Sequence, residues 1–101
     1  MNQPAVKIKY PEMETFWDRA LASEKGIAIT LESPQKATRR SLELNAFRSS
    51  VRKGNALIYP LGDPMHDATP WDRLVVQKDK DNPCRLLIKE REVETISVEE
   101  L

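Results

Sequence analysis

The sequence predicts a small α+β domain, and three observations carry that expectation. Short stretches with apolar residues at every second position alternate with two stretches whose apolar residues recur at helical spacing. Two further apolar runs near the C-terminus are separated by a polar, proline-containing segment, the pattern of a β-hairpin. A length of 101 residues supports one core and makes two improbable. The expected order is β-α-β-α-loop-β-β, with two helices packed on a small sheet that ends in the hairpin. Residues 1–90 would form the domain and residues 91–101 an acidic C-terminal tail.

Taken in order, Val6, Ile8 and Tyr10 alternate with Lys7 and Lys9, as in a short half-buried strand that Pro11 interrupts. Met13, Phe16, Trp17, Ala20 and Leu21 then share one side of a helix, with Glu14, Asp18, Arg19 and Lys25 opposite and Gly26 closing it. Ile27, Ile29 and Leu31 alternate with Ala28, Thr30 and Glu32; free of proline and nearly free of charge, this strand is expected to lie centrally. Ser33-Pro34 opens a second helix, the serine oxygen capping free amides and the proline at N1. Its apolar stripe is Ala37, Leu44, Phe47 and Val51, with Arg40 and Arg48 bordering it. Gly54 is expected to stop it after Lys53.

Leu57-Ile58-Tyr59 reads as a short strand, and Pro60, Gly62, Pro64 and Pro70 make the remainder a loop. Thr69-Pro70-Trp71-Asp72 resembles the opening of one helical turn with Thr69 as its cap. Leu74-Val75-Val76 and Leu86-Leu87-Ile88 are the hairpin strands, joined through Lys80-Asp81-Asn82-Pro83. The expected core is Phe16, Trp17, Leu21, Ile27, Ile29, Leu44, Phe47, Val51, Leu74, Val76, Leu86 and Ile88.

Several function classes are disfavoured at once. No apolar run approaches the roughly 20 residues of a membrane helix. The opening Met1-Asn2-Gln3-Pro4 has neither a basic region nor an apolar core, so no secretory signal is expected. Cys84 is the only cysteine, which excludes an intramolecular disulfide and points to a reducing cytoplasm. Phosphate-binding loops, nucleophile elbows and dinucleotide fingerprints are absent because Gly26, Gly54 and Gly62 are isolated from one another. No cofactor is expected, and a non-enzymatic role is favoured.

Charge is informative by position. Sixteen bases balance sixteen acids. Yet between Ser33 and Gly54 Lys36, Arg39, Arg40, Arg48, Arg52 and Lys53 face the single acid Glu43. From Gln77 onward seven acids outnumber five bases. Phosphate binding calls for several Lys and Arg on a common surface, helped by hydroxyl donors. The basic helix has both, adding Thr38, Ser41, Ser49 and Ser50 together with Asn45. At 100° per residue, however, its six bases spread around the axis. A solvated helix pairing with the acidic C-terminal half is the competing reading.

Three other places invite a chemical reading. His66 stands between Asp63 and Asp67, where an imidazole flanked by carboxylates could take a metal or act as a base; turn-forming aspartates in a polar loop explain the same residues. With no second His or Cys nearby, no metal site is expected. Cys84 precedes Arg85, which would activate an exposed thiol, or it is a structural residue at a strand start. Trp71 either caps the core or stands exposed as a partner anchor.

The pattern Ser33-Pro34 through Ala37, Arg40, Leu44, Phe47 and Arg48, followed by Pro70-Trp71-Asp72-Arg73-Leu74-Val75-Val76, resembles some small bacteriophage-encoded accessory proteins. The resemblance covers about half the chain and implies no particular activity. The leading expectation is a nucleic-acid-binding accessory protein of transcription, replication or genome handling, contacting phosphates through Lys36, Arg39, Arg40, Arg48, Arg52 and Lys53. The alternative is a protein-interaction module, an inhibitor or adaptor of a larger machine, using Trp71, the 55–70 loop and the acidic tail.

Overall fold

A computed structural model describes residues 11–92 and 96–101 of the chain. The strand expected at Val6–Tyr10 lies outside the described residues. Helix α1 spans Pro11–Ala22, with proline where its fixed φ suits a first turn. Strand β1 spans Ile27–Thr30, helix α2 Pro34–Ile58, strand β2 Leu74–Asp79 and strand β3 Asn82–Glu90. The three strands form one antiparallel sheet in the order β1-β3-β2. Both helices pack against one face of it, so the fold is α+β as the sequence predicts.

Several expectations are corrected. β1 is an edge strand; the centre belongs to β3, whose Leu86 and Ile88 are fully buried and pair with both neighbours. α2 does not stop at Gly54. Positive φ among the glycines occurs only at Gly26 and Gly62, and the helix runs on through Asn55-Ala56-Leu57-Ile58. The expected strand at Leu57–Tyr59 is therefore the last helical turn, closed when the Tyr59 amide donates to the Asn55 carbonyl at 2.9 Å. The hairpin tip shortens to Lys80-Asp81, because Asn82 and Pro83 already belong to β3. A register shift at Lys78/Asp79 skips Pro83, so its missing amide costs no ladder bond.

Gly26 is required where it stands. Its φ is +85°, and a Cβ there would run into the Ile88 carbonyl oxygen and the Lys89 side chain. α1 has already ended at Ala22, so Gly26 turns the chain into β1 rather than capping the helix directly.

The core is Met13, Trp17, Ala20, Ala37, Leu44, Trp71, Leu74, Leu86 and Ile88. Fully burying a large apolar side chain contributes about 1.5–3 kcal/mol, so this set carries most of the domain's stability. Phe16, Leu21, Ile27, Ile29, Phe47, Val51 and Val76, expected inside, are partly buried and pack around its rim. Trp17 is fully buried and its indole N–H donates to the Leu44 carbonyl at 3.1 Å, tying α1 to α2. Trp71 stacks on Trp17 at 6.2 Å and meets Phe47 at 5.7 Å, while its N–H donates to Asp18. The turn before β2 thus closes the core from above.

The basic helix and the apolar knuckle at its end

α2 is capped at Ser33, in extended conformation, whose Oγ accepts from the Lys36 amide at 3.1 Å. From there the six bases take different paths. Arg48 is four residues after Leu44 and lies in the middle of the buried stripe. Its Nη1 donates to the Trp71 carbonyl at 2.9 Å and the Leu74 carbonyl at 2.7 Å, and Nη2 reaches Asn45 Oδ1. The guanidinium also stacks over the Trp17 ring at 4.3 Å. Burial and the neighbouring Arg52 lower the Arg48 pKa, and Asp72 pulls the other way. Arg48 is a strut between α2 and the turn that leads into β2.

Arg52 continues the same seam, its Nη2 donating to Asp72 Oδ1 at 2.7 Å. Asp72 in turn receives the Thr69 amide on Oδ2 and the Thr69 hydroxyl on Oδ1, while the Thr69 oxygen accepts from the Trp71 amide. This is a reciprocal Thr-x-x-Asp cap on a single turn, as the Thr69 spacing suggests. Partial burial pushes the Asp72 carboxyl up; Thr69 and Arg52 outweigh it and hold the group below its ordinary range.

Arg40 pairs with Glu43 at 3.3 Å and lies over Phe16, and Lys36 pairs with Glu32 at 3.2 Å. Arg39 and Lys53 are exposed and have no ion-pair or hydrogen-bond partner among the described residues. Both lie on the side of α2 turned away from the core, about 21 Å apart at 1.5 Å per residue. The structure therefore does not gather the six bases into one surface.

The other candidates resolve locally. His66 Nδ1 donates to the Tyr59 carbonyl at 2.7 Å, fastening the loop to the end of α2, and Asp63 Oδ1 accepts from the Met65 amide in a turn. No group of three or more potential metal ligands occurs among the described residues. Cys84 is half-buried; its amide donates to Asn82, and the guanidinium of Arg85 is directed to Asp79. Trp71, at 4 % exposure, is a core residue, so the partner-anchor role is corrected.

The most exposed apolar surface of the folded body lies in the 55–70 stretch of the interaction reading, where sequence reasoning singled out no apolar residue. Leu57 is 89 % and Leu61 85 % exposed, with Ile58 between them also in solvent. They form a knuckle where α2 gives way to the loop, fixed by Asn55 Nδ2 donating to the Ala68 carbonyl at 2.8 Å and by the His66 bond. The signal was present: an apolar triplet beside prolines, read as a strand, has no sheet neighbour to bury it. No helix of the described residues is long and apolar enough to cross a membrane. Comparison with protein-family models, curated proteins and solved structures finds no match to this chain.

Proposed function

We propose that the protein is a non-enzymatic interaction module, an adaptor or inhibitor that docks on a larger protein through the knuckle Leu57-Ile58-Leu61. The observation that supports this reading is the exposure of three large aliphatic side chains on a locally braced segment. Apolar residues clustered in this way mark protein contacts more often than they occur by chance. Lys53, one turn before Leu57 and without a partner among the described residues, suits a partner pocket that is apolar and edged by a carboxylate. The knuckle takes the place of Trp71 in the interaction reading.

The test is capture from nuclease-treated lysate by the chain and by Leu57→Asp and Leu61→Asp variants. Both residues are solvated, so the variants are expected to keep the parent melting temperature. A captured protein that resists nuclease and disappears with either variant supports the reading. Capture that vanishes on nuclease treatment, or that is indifferent to both variants, overturns it. The second reading, phosphate contact by the basic helix, is favoured by one observation: Arg39 and Lys53 lie on the outer face of α2 with no partner among the described residues.

A further inference from the structure

The helices cover only one face of the sheet. On the other, a shallow cleft of about 190 Å³ runs between β1 and β3, floored by Ala28 and Leu87 and rimmed by Lys25, Arg85 and Lys89. Every charged residue lining it is a base. Lys25 has no ion-pair partner among the described residues. Arg85 pairs with the largely covered Asp79 at 3.0 Å, and Lys89 with the solvated Glu92 at 3.3 Å. A pair to a solvated carboxylate contributes little in water, so an incoming carboxylate can replace Glu92 at small cost, and Lys25 is there to meet it.

The chain itself carries a segment of complementary chemistry. Residues 96–101, Ile96-Ser97-Val98-Glu99-Glu100-Leu101, are all in solvent, with Ile96 71 % and Val98 84 % exposed. In an extended chain Ile96, Val98 and Glu100 fall on the same side, two aliphatics followed by a carboxylate. They span about 13 Å at roughly 3.3 Å per residue. Four residues likewise separate Lys89 from Arg85 along β3, so the segment and the cleft match in length as well as in charge.

We propose that residues 96–101 of a second copy of this chain lie along the β1–β3 cleft. Ile96 and Val98 rest on Ala28 and Leu87, and Glu100, on the same side, faces the bases of the rim, with Glu99 turned outward beside it. Each copy has both the segment and the cleft, and the proposed exchange is the reciprocal one, which closes as a two-fold dimer where a one-way contact would run on as an open chain. This inference uses a surface separate from the Leu57 knuckle and stands independently of the reading above.

Sedimentation of the full chain over a range of concentrations tests it. The expected result is a concentration-dependent dimer. Val98→Asp, in a solvated position that leaves the fold intact, should weaken it about tenfold or more, the loss of one buried aliphatic. Reversing the tail charges (Glu99→Lys with Glu100→Lys) should also weaken it, and adding Arg85→Glu with Lys89→Glu should restore it, with thermal melts confirming that each variant is folded. A monomer at every concentration overturns the proposal. So does a dimer that survives Val98→Asp and falls to Leu57→Asp, because the knuckle would then hold it, or a combined variant that is folded yet stays monomeric.

Discussion

Arg48→Ala is expected to be among the most damaging single changes in the chain, although the residue is a charged one on a basic helix. The side chain donates from one nitrogen to two main-chain carbonyls, Trp71 at 2.9 Å and Leu74 at 2.7 Å, both in the segment that closes the core. The Trp71 carbonyl still accepts from the Leu74 amide at 2.9 Å, whereas the carbonyl of buried Leu74 is left to water that reaches it poorly once the guanidinium is gone. A hydrogen bond from a charged donor contributes about 1.5–3 kcal/mol, and leaving a buried acceptor unpaired costs about 1–3 kcal/mol. The stacking of the cation on Trp17 at 4.3 Å adds about 0.5–2 kcal/mol. These contributions overlap, because one truncation removes them together, and a total of about 3–5 kcal/mol is expected. Against a typical stability of about 5–15 kcal/mol, that leaves a marginal protein. Urea unfolding followed by tryptophan fluorescence measures it directly, since Trp17 and Trp71 are the two tryptophans and both lie at the site. Arg39→Ala is the control and should shift stability by under about 0.5 kcal/mol. If Arg48→Ala unfolds within about 0.5 kcal/mol of the parent, as an exposed base would, the strut assignment is refuted.

Two further outcomes follow from the same seam and its exposed neighbours. The Asp72 carboxyl is held below its ordinary range in the folded chain, so its contribution is complete above the unfolded value of about 3.9 and is lost as pH falls through the lower folded value; acid unfolding of Asp72→Asn should therefore start from a lower stability at neutral pH and show a shallower loss below about pH 4. If duplex DNA binds the basic helix, Arg39 and Lys53, with Lys36 and Arg40 whose surface pairs exchange easily, supply at most about four contacts, and the slope of log K against log salt measured by anisotropy should be no steeper than about 4; a slope near 6 would mean that all six bases reach phosphates and would refute the commitment of Arg48 and Arg52 to the 69–74 turn.

The order of elements was legible because it depends on periodicities that survive without knowledge of tertiary contacts. Trp17, Leu44, Leu86 and Ile88 fall on the expected faces and are buried. What misled was punctuation. Gly54 looks like a helix stop, but a stop of that kind needs a left-handed residue, and Gly54 continues the helix at a cost of about 1 kcal/mol relative to alanine. The fate of the six bases was illegible for a different reason. Arg48 finds its acceptors 23 and 26 residues away, and Arg52 its carboxylate 20 residues away, pairings that only the folded chain creates. One clue was available: the Leu44–Arg48–Val51 spacing sets an arginine inside the apolar stripe rather than beside it.

The division of labour along α2 explains how a strongly basic segment fits into a neutral chain without being one binding surface. A guanidinium that spends its Nη1 on two carbonyls and lies flat on an indole presents no free fork to a phosphate, since bidentate recognition needs two parallel donors. Arg52 is committed in the same way to a carboxylate that is itself fixed by Thr69. These two arginines clamp the 69–74 turn onto the helix, where lysines could not reach two carbonyls and stack at once. The clamp fixes the register of β2 from Leu74 onward. It also leaves the outer side of α2 free of structural duty, and there Arg39 and Lys53 remain in solvent, as does the Leu57 knuckle on the last turn that Asn55 and His66 brace. A partner that engages α2 without straining the fold must therefore use that outer side, because a ligand that recruited Arg48 would first have to break its bonds to the Trp71 and Leu74 carbonyls.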